Sequence, residues 1–490
     1  MSDNKSIRIG ISDKAPMKKY IPTKKAIVIA LDRTDSIDCT LNGLPLSEEN
    51  NLHWEIADTS IARIDENRII SAVKKGETTV NAIINNEVVV SVPVIVERQP
   101  LPPLNEINPS RFTLNSDGFF IDNSSKKTNK ATLMFVGDLM FLSEQQRNAR
   151  TPDGSYDFNP SFKYVKSLLE QADFSMGTLE TIVDPAHPYK CEQTKIDNGT
   201  GYMAPNCNAP VTCLDAVRFA GIDAVSTANN HCMDSGINGL ITTKKHLDRY
   251  NIIHTGTFTE NEQRYLLVDL NGIKIAILAY TTSLNLMENL WNLTPHERSI
   301  YTNQYIQGVS ENIVKNELEE VKKLGVDFVF VMLHAGVVNT LEPVKKVVEV
   351  CRELANAGAD YVINTHSHTL QSYNIITTKD ARKVPVIYSM GNFVSSMDQV
   401  EDQRNRDAII LTIELEKIND KIFVDDGYIP CFSRRNFKDD KFVTLPCDKA
   451  YNGNNQNGAM IEAKKRIKQT LGEEISKVST KTYKPYINND

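Results

Sequence analysis

Thr227-Ala228-Asn229-Asn230-His231-Cys232-Met233-Asp234-Ser235-Gly236 sets an amide, an imidazole and a carboxylate directly behind the short apolar run Asp223-Ala224-Val225-Ser226. The run has the length of a buried strand and a helical pattern begins near Ile237, so the stretch reads as the turn of a βα unit. Open α/β sheets bind ligands at the carboxyl ends of their strands, which is where these polar residues fall. An Asn carbonyl oxygen can hold a metal, and an adjacent His can ligate one or move a proton. The alternative is an ordinary βα turn in which Asp234 or Ser235 caps the following helix.

The same texture repeats on both sides. Residues 132–136 form an apolar strand pattern ending in Gly137-Asp138, and 174–179 another ending in Glu180. A helical pattern covers 162–171, and helices are expected over 211–220, 236–250, 311–324 and 343–357. Residues 328–333 read as a strand ending in His334, and 361–363 as a strand ending in Asn364-Thr365-His366-Ser367-His368. Residues 265–270 and 274–279 are joined at Asn271-Gly272, a strong hairpin signal. The polar segment 184–210 is too long for a routine connection and is a candidate lid or binding loop. Strands alternating with helices, plus a hairpin, predict α/β layering with a partly antiparallel sheet.

Ahead of this lies a different texture. Residues 18–98 carry β-branched runs separated by turn-rich stretches and predict a small all-β sandwich. Residues 99–130, with Pro100, Pro102, Pro103 and Pro109 and then a polar tract, read as a linker. The main domain is expected over 131–450. A C-terminal helix and tail occupy 451–490, with Ile461, Ile467 and Leu471 as a loose apolar face.

At 490 residues the chain is long enough for more than one domain, and 41% hydrophobic with 24% charged is a globular composition. The net charge of −7, with both signs interspersed, argues against a nucleic-acid-binding face. No apolar run approaches the roughly 18 residues of a membrane span, and residues 1–14 lack a signal-peptide core. As written, the chain reads as cytoplasmic or as a trimmed mature form, and location stays open. The eight cysteines contain no CxxC pair and read mostly as buried thiols. Cys191, Cys207 and Cys213 lie close enough in one loop-rich segment for a disulfide.

The chemistry lies in how the strands end. Asp138, Glu180, Asn230, His231, His334, His366 and His368 all sit at or just past a strand's carboxyl end. Carboxylates, an amide and imidazoles suit one or two divalent ions such as Mn, Fe or Zn. A carboxylate bridging two ions about 4 Å apart would let them activate a water and clamp both oxygens of a displacement. His366 and His368, at alternate positions of an extended segment, would place both rings on one side. His53, His187, His246, His254 and His296 are read as surface or structural.

The ordered set Gly137-Asp138-Leu139-Met140, Gly177-Thr178-Leu179-Glu180-Thr181, Asn230-His231 with Asp234 and Gly236, His334-Ala335-Gly336, His366-Ser367-His368-Thr369-Leu370-Gln371 and Tyr388-Ser389-Met390-Gly391-Asn392-Phe393 resembles the CapA family. That family, of poly-γ-glutamate capsule biosynthesis, is a branch of the calcineurin-like metallophosphoesterases. The resemblance implies an α/β/β/α sandwich. By it, Asp138 and His368 hold one metal, Glu180 bridges, Asn230, His334 and His366 hold the second, and His231 is the catalytic residue facing the leaving group. Residues 54–80 similarly resemble the bacterial immunoglobulin-like group 2 module, which implies a spacer or adhesion role.

Met140 stands where phosphoesterases of this superfamily carry a His, so the first metal loses an imidazole, and thioether is a poor ligand for hard ions. Thr178, Ala335 and Asn364-Thr365 also depart from the family's pattern and alter the pocket around the ligands. The expected function is a metal-dependent hydrolase or transferase of poly-γ-glutamate biosynthesis, attacking a phosphoryl or γ-glutamyl centre. Its substrate would be an anionic polymer or a phosphorylated small molecule, met through metals and arginines such as Arg404, Arg406, Arg434 and Arg435. Other capsule-biosynthesis proteins at the membrane are the implied partners. The competing readings are a non-catalytic cell-surface polymer-binding protein and a cytoplasmic metallophosphatase.

Overall fold

The computed structural model describes residues 20–22, 27–30, 34–37, 39–41, 44–45, 52–97 and 110–475, the last less 125–127, 153–154, 186, 188, 196–202, 306–309, 399–400, 436–440, 450, 452–456 and 473–474. The chain divides into two compact units, Met1–Leu101 and Pro102–Asp490.

The first unit is built of strands. Glu87–Glu97 pairs antiparallel with Gly76–Ile84 and parallel with Ile27–Ala30, and His53–Ile56 joins the far side of Gly76–Ile84. Val90, Val92, Val94 and Val96 are buried, the period of two that a half-buried strand requires. They share one core with Ala62 and Ile70 of a second, three-stranded sheet, against which Trp54 packs partly buried.

In the second unit two eight-stranded sheets face each other. One runs Ile253–Thr255, Ala224–Ser226, Phe174–Leu179 and Lys130–Leu139, all parallel, then continues antiparallel through Asp407–Ile418, Lys421–Arg435 and Phe442–Pro446. In the other, Ile273–Thr281, Phe328–His334, Tyr361–Thr365 and Lys383–Ile387 are parallel neighbours. The Asn271-Gly272 hairpin joins Leu266–Leu270 to Ile273–Thr281.

Phe135 and Phe174 from the first sheet meet Ile277, Phe330 and Ile363 from the second in a single apolar core. The second sheet's other face carries Leu278, Val329, Val331 and Val362, covered by Val314, Leu318 and Val321 of helix Glu311–Lys323 and by Val350 and Leu354 of helix Lys345–Ala357. Strands buried on both faces explain why these runs are continuously apolar rather than alternating. Among the described residues no helix is long and apolar enough to cross a membrane.

Three expectations shift. The expected linker is partly structured: Phe112–Leu114 and Phe120–Asp122 form a hairpin, and the second of these strands pairs with Leu266–Leu270. Burial of Phe112 and Phe119 drives this, and the Asn115 side chain closes the turn by accepting from the amides of Asp117 and Phe119. Residues 98–109 and 125–127 of that stretch lie outside the described residues. In the C-terminal helix Gly458–Leu471, the inward face is Met460, Ala463, Ile467 and Leu471, whereas Ile461 is exposed. Arg466 binds Asp407 bidentately at 2.8 and 2.6 Å, so this helix belongs to the second unit. The helix expected over 162–171 is only the turn Asn159–Phe162 and the short helix Lys166–Leu169.

One backbone contact fixes where the first strand meets the site. A Cβ on Gly137 would lie 2.0 Å from the Gly391 carbonyl oxygen, so only glycine lets the 389–393 loop approach the strand that carries Asp138. Gly137→Ala is expected to destabilise the domain by about 3 kcal/mol, the upper end of overpacking costs, and chemical denaturation reads this as a lower midpoint.

Candidate metal centre

The parallel strands of both sheets end at one edge, and their last residues converge. Asp138, Glu180 and His368 form one buried set of possible metal ligands, and Glu180, His334 and His366 form another. Asn230 joins the second set, its Oδ1 lying 2.8 Å from His334 Nε2, which is 3.1 Å from His366 Nδ1 and 3.5 Å from Glu180 Oε1. Ligand atoms held at 2.0–2.1 Å around one ion sit about 3.0–3.4 Å apart, close to this spacing. In the first set, His368 Nδ1 is 3.6 Å from Asp138 Oδ2 and His368 Nε2 is 3.6 Å from Glu180 Oε1.

The donor set fits a cation on a second ground. Asp138 Oδ1 and both Glu180 carboxylate oxygens are buried without a hydrogen bond in good geometry, a costly state unless something positive is bound there. Burial and the Glu180 charge push Asp138 above the usual carboxylate range. Burial opposes ionisation of Glu180 as well, but His368, His334 and His231 outweigh it and hold Glu180 low. His368 is raised to about 9, Glu180 and Asp138 overcoming the opposite pull of burial, whereas burial and His334 press His366 well below the ordinary imidazole range.

Surrounding groups fix these side chains. His334 Nδ1 lies 2.7 Å from Thr365 Oγ1, which leaves Nε2 turned toward Asn230 and His366. Asn392 Oδ1 is 3.0 Å from His368 Nδ1, and the Asn405 amide donates to the His368 carbonyl at 3.0 Å. His366 and His368 both have positive φ, 95° and 56°, a conformation that costs on the order of 1–3 kcal/mol each for a non-glycine residue. The His366 amide donates to Asp138 Oδ2 at 3.3 Å, so the strained segment is tied to the facing sheet. Thr365→Val is expected to weaken ion binding at the His334 set by roughly 10–100-fold, measurable by calorimetric titration.

His231 faces this cluster from its side. Its Nε2 is 4.0 Å from Glu180 Oε1, and its Nδ1 is 2.7 Å from Asp234 Oδ2, so the carboxylate accepts the Nδ1 proton and Nε2 points inward. Asp234 raises the His231 pKa against the effect of burial. Asp234 also accepts the Cys207 amide at 2.6 Å.

Residues 132–397, more than half of the chain, match the family described as "Bacterial capsule synthesis protein PGA_cap". The chain belongs to this family. Among curated relatives, "Capsule biosynthesis protein CapA" of Bacillus anthracis is 24% identical over 275 residues, covering 55% of this chain and 61% of that protein. "PGA biosynthesis protein CapA" of Bacillus subtilis (strain 168) is 24% identical over 290 residues, covering 58% of this chain and 67% of that one. The match thus spans about three fifths to two thirds of these relatives.

Within this PGA_cap domain every strand-end residue singled out from sequence reaches the same cluster, and three further residues act on it. Asp234 does not cap the following helix: that helix, Gly236–Arg249, has Ser235 at its N-cap with no side-chain cap bond, and the Asp234 carboxylate turns inward to His231. The signal was available, since His and Asp at i and i+3 can meet in a tight turn. Asn392 stands in the Tyr388–Phe393 motif and Thr365 beside His366, but which side chain each orients was not legible, because their partners are 24 and 31 residues away. Met140 is buried. The 184–210 segment contains a hairpin, Lys190–Lys195 with Met203–Asn208, closed by a Cys191–Cys207 disulfide; Cys213 stays free and buried. Of the lone histidines, His187 pairs with Asp184 and His254 with Asp248, both outside the cluster.

Proposed function

We propose that the chain is a metal-dependent hydrolase or transferase of poly-γ-glutamate capsule biosynthesis, acting on an anionic polymer or a phosphorylated small molecule. The observation that carries this reading is the sharing of buried Glu180 by two ligand sets at one sheet edge, with His231 facing both, in a chain of the PGA_cap family. Asp138, His368 and Glu180 would hold one divalent ion of Mn, Fe or Zn, and Glu180, Asn230, His334 and His366 a second. Bound there, such ions supply water activation and charge neutralisation at a phosphoryl or γ-glutamyl carbonyl centre.

The chain's own groups do the rest. Asp234 fixes the Nδ1 proton of His231, which leaves Nε2 to give a proton to the leaving group or to hydrogen-bond the transferring group. The Asn285 amide is placed by its neighbour Asn230, whose Nδ2 donates to Asn285 Oδ1 at 3.2 Å, a contact that turns Asn230 Oδ1 toward His334. Arg404 and Arg406 flank Asn405, whose amide donates to the His368 carbonyl, and in this reading they would offer positive charge to an anionic chain. Arg406 is already paired with Asp398 at 2.6 Å, which leaves Arg404 the better candidate. The N-terminal unit serves as an immunoglobulin-like spacer in this reading, and capsule-biosynthesis proteins at the membrane are the partners.

The test is a screen of phosphoesters and γ-glutamyl peptides with protein loaded in turn with Mn²⁺, Fe²⁺ and Zn²⁺. Turnover of one class, lost on chelation and restored by the ion, is expected. No turnover of either class with any ion would favour a non-catalytic polymer-binding protein.

A further inference from the structure

Trp291, 41% exposed, is committed at two points to the turn that carries His231. Its indole N–H donates to the Met233 carbonyl at 3.1 Å. Its ring covers Gly236, where a Cβ would stand 3.1 Å from Trp291 Cδ2 and 3.4 Å from Cε2 and Cε3. The φ of Gly236 is 65°, so glycine there meets both the left-handed backbone and the close ring. Inside the turn the Asp234 amide donates to the His231 carbonyl at 3.1 Å, and the Gly236 amide donates to the Met233 carbonyl at 2.9 Å. The Met233 carbonyl therefore accepts twice, once from the turn and once from Trp291. It belongs to the peptide that leads into Asp234, whose carboxylate meets His231 Nδ1 at 2.7 Å.

The segment that carries Trp291 has anchors of its own. Leu284 and Met287 are buried in one apolar cluster with Cys232, Met233 and Leu240. Asn285 Oδ1 accepts from Asn230 Nδ2 at 3.2 Å, so the same segment touches the candidate-ligand end of the turn. Asn285 and Leu286 have φ of 53° and 58°, left-handed values that non-glycine residues keep only where the surrounding contacts impose them. Residues 284–291 thus grip the turn at two places: Asn285 at Asn230, ahead of His231, and Trp291 at Met233 and Gly236, behind it. With both flanks held, the His231 ring cannot swing with its backbone, and the bond to Asp234 restrains its rotation about its own side chain.

We propose that Trp291 is a positioning residue, which acts through the Met233 carbonyl and Gly236 to keep His231 Nε2 turned toward the metal centre, 4.0 Å from Glu180 Oε1. The inference rests on the reading of His231 as the group that meets substrate. Misplacing a reacting group by about 1 Å costs on the order of 100-fold in rate. Losing the indole N–H alone, one hydrogen bond to the turn, is expected to cost about 10-fold in kcat. KM should stay within about twofold, because the effect passes through the turn and not through a contact with substrate. A tryptophan that only fastened its own loop would change stability instead, and its loss would lower turnover by the same factor whether His231 were present or not.

The experiment is a double-mutant cycle on the full-length protein: wild type, Trp291→Phe, His231→Ala and the double variant, each loaded with the ion that supports turnover and measured for kcat, KM and ion content. Trp291→Phe is expected to lose about 10-fold in kcat with KM and ion content unchanged, and to cost nothing further in the His231→Ala background. An unchanged kcat in folded Trp291→Phe, or the same loss in both backgrounds, overturns the inference. Should Trp291→Phe fail to fold, Trp291→Leu, which also lacks the N–H, takes its place in the cycle. Hydrogen exchange of wild type and Trp291→Phe is read in parallel without substrate. Peptides spanning 229–237 are expected to exchange about 5-fold faster or more in the variant, with the strand Phe328–His334 unchanged. Unaltered exchange over 229–237 also overturns the inference. A wild type without turnover fails the reading of the metal centre, and the exchange measurement then decides by itself whether Trp291 holds the turn.

Discussion

Glu180→Ala is expected to strip the protein of bound divalent ions and to lower turnover on the order of 10³-fold or more. Among the described residues only Glu180 belongs to both ligand sets: its Oε1 is 3.5 Å from His334 Nε2 and 3.6 Å from His368 Nε2. Both its oxygens are buried and lack a hydrogen bond in good geometry, so the carboxylate has little structural work to lose and its charge is there for a cation. Glu180→Gln is the sharper comparison, because it keeps the volume and removes only the charge. It should lose ions nearly as completely. Elemental analysis after loading and dialysis, run beside the activity assay, checks this; a glutamine variant that keeps its full ion content would mean the carboxylate does not bridge.

His231→Ala is expected to behave in the opposite way. Ion content should stay at the wild-type level while turnover falls by roughly 10²–10⁴-fold, the range for loss of a positioned proton donor. The reason is geometric: Nε2 of His231 is 4.0 Å from Glu180 Oε1 and outside the close spacing of the His334 set, and its other nitrogen is committed to Asp234. Asp234→Asn should cost about 10–100-fold, because the amide can still accept from Nδ1 but no longer favours the charged ring. The Asp234 variant should also shift the pH profile, since Asp234 raises the His231 pKa against burial. A purely structural role for Asp234 would lower the amount of folded protein and leave that profile in place.

The positions of the candidate ligands were legible because strand ends are local. An apolar run of five or six residues that stops at a polar one shows where a strand leaves the core, and parallel topology then brings such ends to one edge. Asp138, Glu180, His334 and His366 are of this kind. What was not legible depends on distance or on the path of irregular backbone. The His231–Asp234 pair is local, but the second contact on that carboxylate, from the Cys207 amide, is brought by a hairpin 27 residues upstream. The pairing of Cys191 with Cys207 rather than Cys213 follows from cross-strand register in that hairpin. Its neighbour Cys213 lies on the helix Thr212–Phe219 and is buried. The strands within the expected linker escaped notice because prolines and polar residues surround Phe112 and Phe119. Ile461 looked like a core residue by spacing, yet the helix rolls to bury Met460 and Ala463 instead.

Anomalous diffraction from crystals soaked in Mn²⁺ tests the central claim most directly. The shared-carboxylate centre predicts a strong peak among Asn230, His334, His366 and Glu180. It predicts a second, about 3.5–4 Å away beside Asp138 and His368, that fills only at higher Mn²⁺ because Met140 supplies no imidazole there. A soaked crystal with no peak within coordinating distance of Glu180 would contradict it.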